Sequence, residues 1–283
     1  MKTVAIFGKQ SHPDLAATAT ALAAVGRRAG ALVLVDAALE LALPDCEPAA
    51  AEDMARRCEL ALVLGGDGTL IHVARLLGER PVPVFGVNLG SLGFLTAFTT
   101  EEAPAELERV LGGDYDLDER APLDCELRCA AGRLVRARAF NDAVVSVAAI
   151  SRIADIRAAV DGVYVTTFRA DGLIVSSPSG STAYAMAAGG PIVMPHTRAL
   201  LLAPICPHML TMRPLVVPGE ARVAVEVDAD GPPMVVTFDG QQVEEMNAGD
   251  RLEIQRAAAP VLLIRPPRDQ FQILRTKLKW GQR

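Results

Sequence analysis

The stretch Leu60-Ala-Leu-Val-Leu-Gly-Gly-Asp-Gly-Thr-Leu-Ile-His-Val-Ala-Arg-Leu-Leu77 decides how the rest of the chain is read. An apolar run ends in a glycine turn, and beyond Thr69 the apolar residues Leu70, Val73, Ala74 and Leu77 recur at helical spacing. That order predicts a buried strand, a tight turn and a helix. Gly65, Gly66 and Gly68 carry no Cβ, so the backbone can take positive φ there and its N–H groups can approach a ligand. Asp67 is then held at the carboxyl end of the strand, Thr69 caps the helix and Gly78 ends it. A helix N-terminus with spare N–H donors beside a carboxylate offers donors for a phosphate and a base for a hydroxyl. A purely structural Gly-Asp-Gly turn is the alternative, although hairpin turns join two strands and this one joins a strand to a helix. The loop is not a Walker A sequence, because no Gly-Lys-Ser/Thr follows. Nor is it a dinucleotide fingerprint, since Ile71 stands where the third glycine would fall.

Upstream, Lys2 to Gly8 reads as a strand, Leu15 to Gly30 as an alanine-rich helix and Ala31 to Val35 as a strand. Leu41 to Pro48 reads as a loop and Ala51 to Cys58 as a short helix. Downstream come a strand at Pro81 to Val87, a second glycine loop Asn88-Leu-Gly-Ser-Leu-Gly-Phe-Leu95 and a helix at Glu101 to Leu111. Strands alternating with helices predict an α/β, Rossmann-like unit with a parallel sheet, in which ligands bind beyond the carboxyl ends of the strands. Gly90 and Gly93 could bring the second loop beside the first turn, the alternative being an ordinary loop.

From Asp118 the period changes to alternation. Nine runs between Leu123 and Arg256 read as strands, and Asp161-Gly162 is a hairpin signal. The expected organisation is an α/β domain over 1–117, a mainly β domain over 118–264, and a helical tail over 265–283 that docks back on the first domain. Within the β domain, Asn141-Asp142 could take up ribose hydroxyls or base edges, or form an Asx turn. Arg169 and Asp171 put a cation and an anion on one side of an extended segment, where a surface ion pair is the alternative. Ser176-Ser-Pro-Ser-Gly-Ser-Thr-Ala-Tyr184 runs into a predicted helix from Thr182 to Ala188, leaving donors and hydroxyls for an anion or nucleotide, or simple capping by Ser181. His72 falls on the polar side of its helix, and none of the four histidines lies near a nucleophile elbow.

Composition narrows the classes. At 283 residues with half of them hydrophobic, the chain can bury one large or two ordinary cores. No run approaches the roughly 20 apolar residues of a membrane span, and the N-terminus reads as a strand rather than a signal peptide. A cytoplasmic protein with no membrane partner is expected. A net charge of −6 argues against nucleic acid as partner. Cys125 and Cys129 alternate with Asp124, Glu126 and Arg128 as a strand would, so the five cysteines are expected as reduced thiols rather than zinc ligands.

Gly65-Gly-Asp-Gly-Thr69, the Asn88 to Leu95 loop, Asn141-Asp142, Asp171-Gly-Leu173, Ser179-Gly-Ser-Thr-Ala-Tyr184, Gly189-Gly-Pro-Ile192 and Pro207-His-Met-Leu-Thr-Met-Arg-Pro-Leu215 together resemble the bacterial NAD kinase family. The match keeps order across nearly the whole chain. Gly-Gly-Asp-Gly alone would also resemble phosphofructokinases and the diacylglycerol and sphingosine kinases. The resemblance implies transfer of the γ-phosphoryl of ATP, or of polyphosphate, to the 2′-hydroxyl of the adenosine ribose of NAD. It implies Asp67 as proton acceptor on the phosphate loop of Gly65, Gly66 and Thr69, and Gly68 and His72 at the bound nucleotide. Asn141 and Asp142 would meet the adenosine half, with Thr182, Ala183, Tyr184, Ala185, Met186 and Ala187 around the adenine. Arg152, Arg169, Asp171 and Gln241 match further contact positions, Asp171 near the nicotinamide half and contributed from a neighbouring subunit. It also implies a homodimer or homotetramer and a divalent cation, usually magnesium. Asp142 stands where a glutamate is common, which would shorten the ribose contact or bridge it by water; Ser179 replaces a frequent threonine. A lipid kinase, which should show an apolar entrance, and a non-catalytic dinucleotide sensor, which could dispense with Asp67, are the competing readings.

Overall fold

The computed structural model describes residues 2–10, 12–148, 154–228 and 231–281, and they form two compact units: 2–119 with 261–281, and 120–260. The first begins with β1 (Thr3–Gly8), α1 (Leu15–Arg28), β2 (Leu32–Asp36), β3 (Glu47–Ala49), α2 (Ala51–Arg57), β4 (Leu60–Leu64), α3 (Asp67–Leu77), β5 (Pro83–Val87), α4 (Ala103–Leu111) and β6 (Leu117–Arg120). β3 lies within and just beyond the segment expected as loop. It is a three-residue strand containing Pro48, paired in parallel with β2 at the end of the sheet, where a missing N–H is tolerated. Along β1 and β4, Val4, Ile6, Leu62 and Leu64 join a core with Leu15, Ala19 and Leu22 of α1 and Leu107 and Val110 of α4. Ala5, Phe7, Ala61 and Val63 alternate to the other face and are equally buried. A strand covered on both faces reads as the unbroken apolar run seen at 60–64.

The second unit contains β7 (Leu123–Arg128), β8 (Leu134–Ala139), β9 (Asp142–Val147), β10 (Ala154–Val160), β11 (Val163–Ala170) and β12 (Gly172–Ser176), a 3-10 turn over Ser179–Thr182 and α5 (Tyr184–Ala187). It continues with β13 (Ala199–Ile205), β14 (Leu215–Pro218), β15 (Val223–Val227), β16 (Met234–Phe238), β17 (Gln242–Met246) and β18 (Arg251–Arg256). These make two six-stranded sheets, β11-β10-β15-β18-β7-β8 and β14-β13-β12-β9-β16-β17, that share one apolar core. Asp161 and Gly162, both at positive φ, join β10 to β11.

The chain then returns through β19 (Val261–Ile264) and α6 (Gln270–Leu278). β19 pairs in parallel with β5 and completes the seven-stranded sheet β3-β2-β1-β4-β5-β19-β6, so residues 261–264, read from sequence as part of the β domain, belong to the first sheet. α6 opens with a capping box on Asp269 and Gln272, Arg268 pairs with Glu102, and the Lys277 ammonium lies 5.7 Å from the Phe94 ring centre. Among the described residues no helix is long and apolar enough to cross a membrane.

Candidate active site

In the first sheet the strand order reverses between β1 and β4, and crevices at such a point beyond the carboxyl ends of parallel strands receive ligands. The turn after β4 occupies that place. Gly66 is the N-cap of α3 without a side-chain bond, and Asp67 is already its first residue. Thr69 is therefore not the cap. It lies under the turn instead, and a Cβ on Gly65 would come within 2.6 Å of its hydroxyl oxygen. Positive φ is also not the reason for all three glycines: Gly66 has φ −96° and Gly68 is helical. A Cβ on either would meet nothing within 4 Å, and at Gly66 the missing side chain leaves exposed backbone for an approaching group.

The half-buried Asp67 carboxylate is held from a distance in sequence. Oδ2 accepts the Phe94 N–H at 2.8 Å, and Oδ1 accepts the N–H groups of Leu95 and Thr96 at 3.0 Å and the Thr96 hydroxyl at 3.1 Å. Asn88 Nδ2 donates to the same threonine oxygen at 2.9 Å, while Asn88 Oδ1 accepts the Gly90 N–H at 2.7 Å. Gly93 permits this closeness, since a Cβ there would fall 2.1 Å from Asp67 Oδ1. The second glycine loop is thus a cradle for Asp67. His72 is exposed on α3, with its ring Nδ1 3.1 Å from the Arg75 guanidinium.

In the second unit Asn141 and Asp142 enter β9 opposite the end of β12. The Asn141 carbonyl accepts the Ser177 N–H at 2.8 Å and the Ser176 hydroxyl at 3.2 Å, and a Cβ on Gly180 would come within 2.1 Å of it. With that carbonyl fixed, the Asn141 amide makes no side-chain hydrogen bond among the described residues. Asp142 is 5 % exposed, and its carboxyl likewise has no hydrogen-bond partner among them. Burial, and then the charge of Asp239, push its pKa up to about 7.

The Ser179 to Ala187 segment departs from expectation. It is a 3-10 turn followed by a four-residue helix, too short to present an N-terminal anion site. Ser181 does not cap it either: its hydroxyl donates to Pro178 and Val193 carbonyls and accepts the Val193 N–H at 2.9 Å. Tyr184 and Ala187 are exposed, Thr182, Ala183 and Met186 half-buried, and Ala185 turns into an apolar cluster with Val144, Ile174 and Leu201. Gln241 is the last residue of the turn between β16 and β17, two positions after Asp239.

Asp171 precedes β12, five residues before Ser176, and is therefore roughly 17 Å along the strand from the Asn141-Asp142 end. Arg169 is exposed in register with Asp155, and it forms no ion pair with Asp171 among the described residues. Arg152 lies outside the described residues. Sequence reasoning missed Asp239, whose carboxylate accepts the N–H groups of Phe140, Asn141 and Asp142 at 2.7, 2.6 and 3.2 Å. The Asp239-Gly240 hairpin signal between two alternating runs could have found it.

Residues 9–115 match the ATP-NAD kinase N-terminal domain and residues 140–266 the ATP-NAD kinase C-terminal domain. The chain is 44 % identical to the NAD kinase of Geotalea daltonii and 42 % identical to that of Geobacter sulfurreducens, in both cases over the full length of both chains. In fold it is similar to the crystal structure of yeast NADH kinase complexed with NADH, with a TM-score of 0.90 at 24 % identity over 100 % of this chain and 89 % of that one. The chain belongs to the NAD kinase family.

Proposed function

We propose that the chain transfers the γ-phosphoryl group of ATP, or of inorganic polyphosphate, to the 2′-hydroxyl of the adenosine ribose of NAD, with Asp67 receiving the hydroxyl proton. The observation that carries this reading is the state of the Asp67 carboxylate. Three consecutive amides fix its orientation, while Oδ2 accepts a single hydrogen bond among the described residues and keeps a lone pair for a hydroxyl. Phosphoryl transfer through a loose transition state asks mainly for positioning and neutralisation of charge, with one residue to orient the nucleophile. The exposed backbone at Gly66, where even a Cβ would meet nothing within 4 Å, supports approach of a phosphate there. Asn141 and Asp142 are the acceptors and donors for the adenosine ribose, and Thr182 to Ala187 and Gln241 line the adenine side, Ala185 by its backbone alone.

A divalent cation, magnesium in this reading, supplies charge neutralisation at the phosphates. Among the described residues no group of three or more His, Cys, Asp or Glu side chains is placed to hold one, so the phosphates themselves would be its principal ligands. Incubation with ATP, magnesium and each of NAD, nicotinamide mononucleotide and diacylglycerol tests the function. A phosphorylated product from NAD alone is expected. Product from diacylglycerol, or binding of NAD without turnover, would favour the lipid kinase or the sensor.

The position of Asp171 at the opposite end of β12 from Asn141 and Asp142 supports a homo-oligomer in which this residue serves the site of a neighbouring subunit. Mixing an Asp171→Ala chain with an Asp67→Asn chain should then restore part of the activity by pairing an intact Asp67 with an intact Asp171. A fully active monomer in sedimentation at assay concentration would contradict this.

A further inference from the structure

We infer that Asp239 is a positioning residue for NAD: its carboxylate fixes the backbone of Phe140, Asn141 and Asp142 so that the two side chains face the adenosine ribose. The inference rests on the reading of Asn141 and Asp142 as the adenosine-side pair. Asp239 is separated from those three residues by 97 to 99 positions, so no local preference explains the contact. It stands at φ 53° in the turn between β16 and β17, followed by Gly240 at φ 62°, a backbone that aspartate tolerates better than most residues. From there Oδ1 accepts the Asn141 and Asp142 N–H groups, Oδ2 accepts that of Phe140, and the Asp239 N–H donates to the Asp142 carbonyl at 3.0 Å. The turn and the start of β9 are therefore tied in both directions. With the Asn141 carbonyl taken by Ser176 and Ser177, the main chain of the pair is held on each side and only the side chains are left to meet a ligand.

This clamp carries a charge that the ribose pair feels. Asp142 senses Asp239 as a like charge. Cys125 on β7 also senses the Asp239 charge, together with Asp124, to which Arg138 on β8 donates at 3.1 Å; Ser176 and Ser177 on β12 bring no charge. Burial, then Asp239 and Asp124, push the Cys125 thiol well above its ordinary range, so it stays neutral. Asp239 is the charge whose removal would be felt most by Asp142.

Steady-state kinetics of Asp239→Asn and Asp239→Ala across pH 5.5 to 9 test the inference. Asparagine retains an acceptor for the Asn141 and Asp142 amides and accepts the same backbone, so Asp239→Asn should fold normally. Its KM for NAD should rise a few-fold with KM for ATP unchanged, and the pH at which KM for NAD changes should move toward acid because the like charge is gone. Asp239→Ala leaves all three N–H groups without their acceptor and should raise KM for NAD roughly 10-fold or more. An Asp239→Asn profile superimposable on the parent, or a folded Asp239→Ala with parental KM for NAD, would overturn it; if Asp239→Ala fails to fold, the Asp239→Asn profile decides. Asp142→Ala separates the two readings. Should it leave KM for NAD unchanged, the adenosine-side pair is wrong; should it raise KM while both Asp239 variants behave as parent, only the clamp is wrong.

Discussion

Asp67 and Asp239 do the same thing to the backbone of different units and are put to different use. Asp67 gathers the N–H groups of Phe94, Leu95 and Thr96, and Asp239 those of Phe140, Asn141 and Asp142. In the first case the loop serves the carboxylate: Gly93 brings backbone close, and in the proposed reaction Asp67 is the group presented to the hydroxyl. In the second the carboxylate serves the loop, and in the proposed reading the neighbours it holds are the groups presented. Three amides on one carboxylate therefore do not identify a reacting residue. What distinguishes Asp67 is its place on an open glycine turn at the end of a parallel strand.

Substitutions should separate the two roles in order of size. Asp67→Asn keeps the shape and the acceptor for part of the cradle but loses the base, and kcat should fall about 10² to 10⁴ with KM for NAD and the melting temperature near parental. Unchanged turnover at saturating ATP would remove Asp67 from the chemistry. Gly93→Ala should come next, because its Cβ would fall 2.1 Å from Asp67 Oδ1 and 2.4 Å from Thr96 Oγ1 and must turn the carboxylate out of its cradle. A displacement on the order of 1 Å is worth about 10² in rate, and parental kcat in this variant would show that the cradle does not aim Asp67.

Asp142→Asn should have a smaller effect, and of opposite sign on stability and function. The Asp142 carboxyl has its pKa raised from an ordinary 3.8 to about 7, by burial and then by Asp239. The folded state thus binds this proton more tightly than the unfolded chain. Its contribution to stability is present below about pH 4 and is lost as pH rises through about 7. Asparagine removes that loss. The variant should be more stable than the parent at pH 8, on the order of 2 kcal/mol, and should gain little at pH 4, while its KM for NAD rises. Thermal melts at both pH values check the sign, and a variant less stable at pH 8 would contradict it.

The strand at 60–64, the turn and α3 were legible because a strand buried on both faces and a helix buried on one leave different periods in the sequence. The shift to alternation marked the β unit for the same reason. What stayed hidden depends on partners distant in the chain. β19 is a short apolar run, and only its pairing with β5 assigns it to the first sheet. β14 and β17 are edge strands with exposed residues, so their alternation is blurred. The alanines around 185 read as a helix, yet Ser181 ties the segment to Val193 and the helical part is four residues long. Asp67 could be singled out from its glycines, and the glycines of the Asn88 to Leu95 loop pointed to that loop lying beside it, as it does; the particular amides on the carboxylate and the role of Asp239 were not legible, because each depends on partners tens of residues away.

The most direct measurement is phosphorus NMR of the product formed from NAD, ATP and magnesium. A single new phosphomonoester on the 2′-hydroxyl of the adenosine ribose is expected. A phosphate on the nicotinamide-side ribose, or no phosphorylated dinucleotide at all, would contradict this assignment.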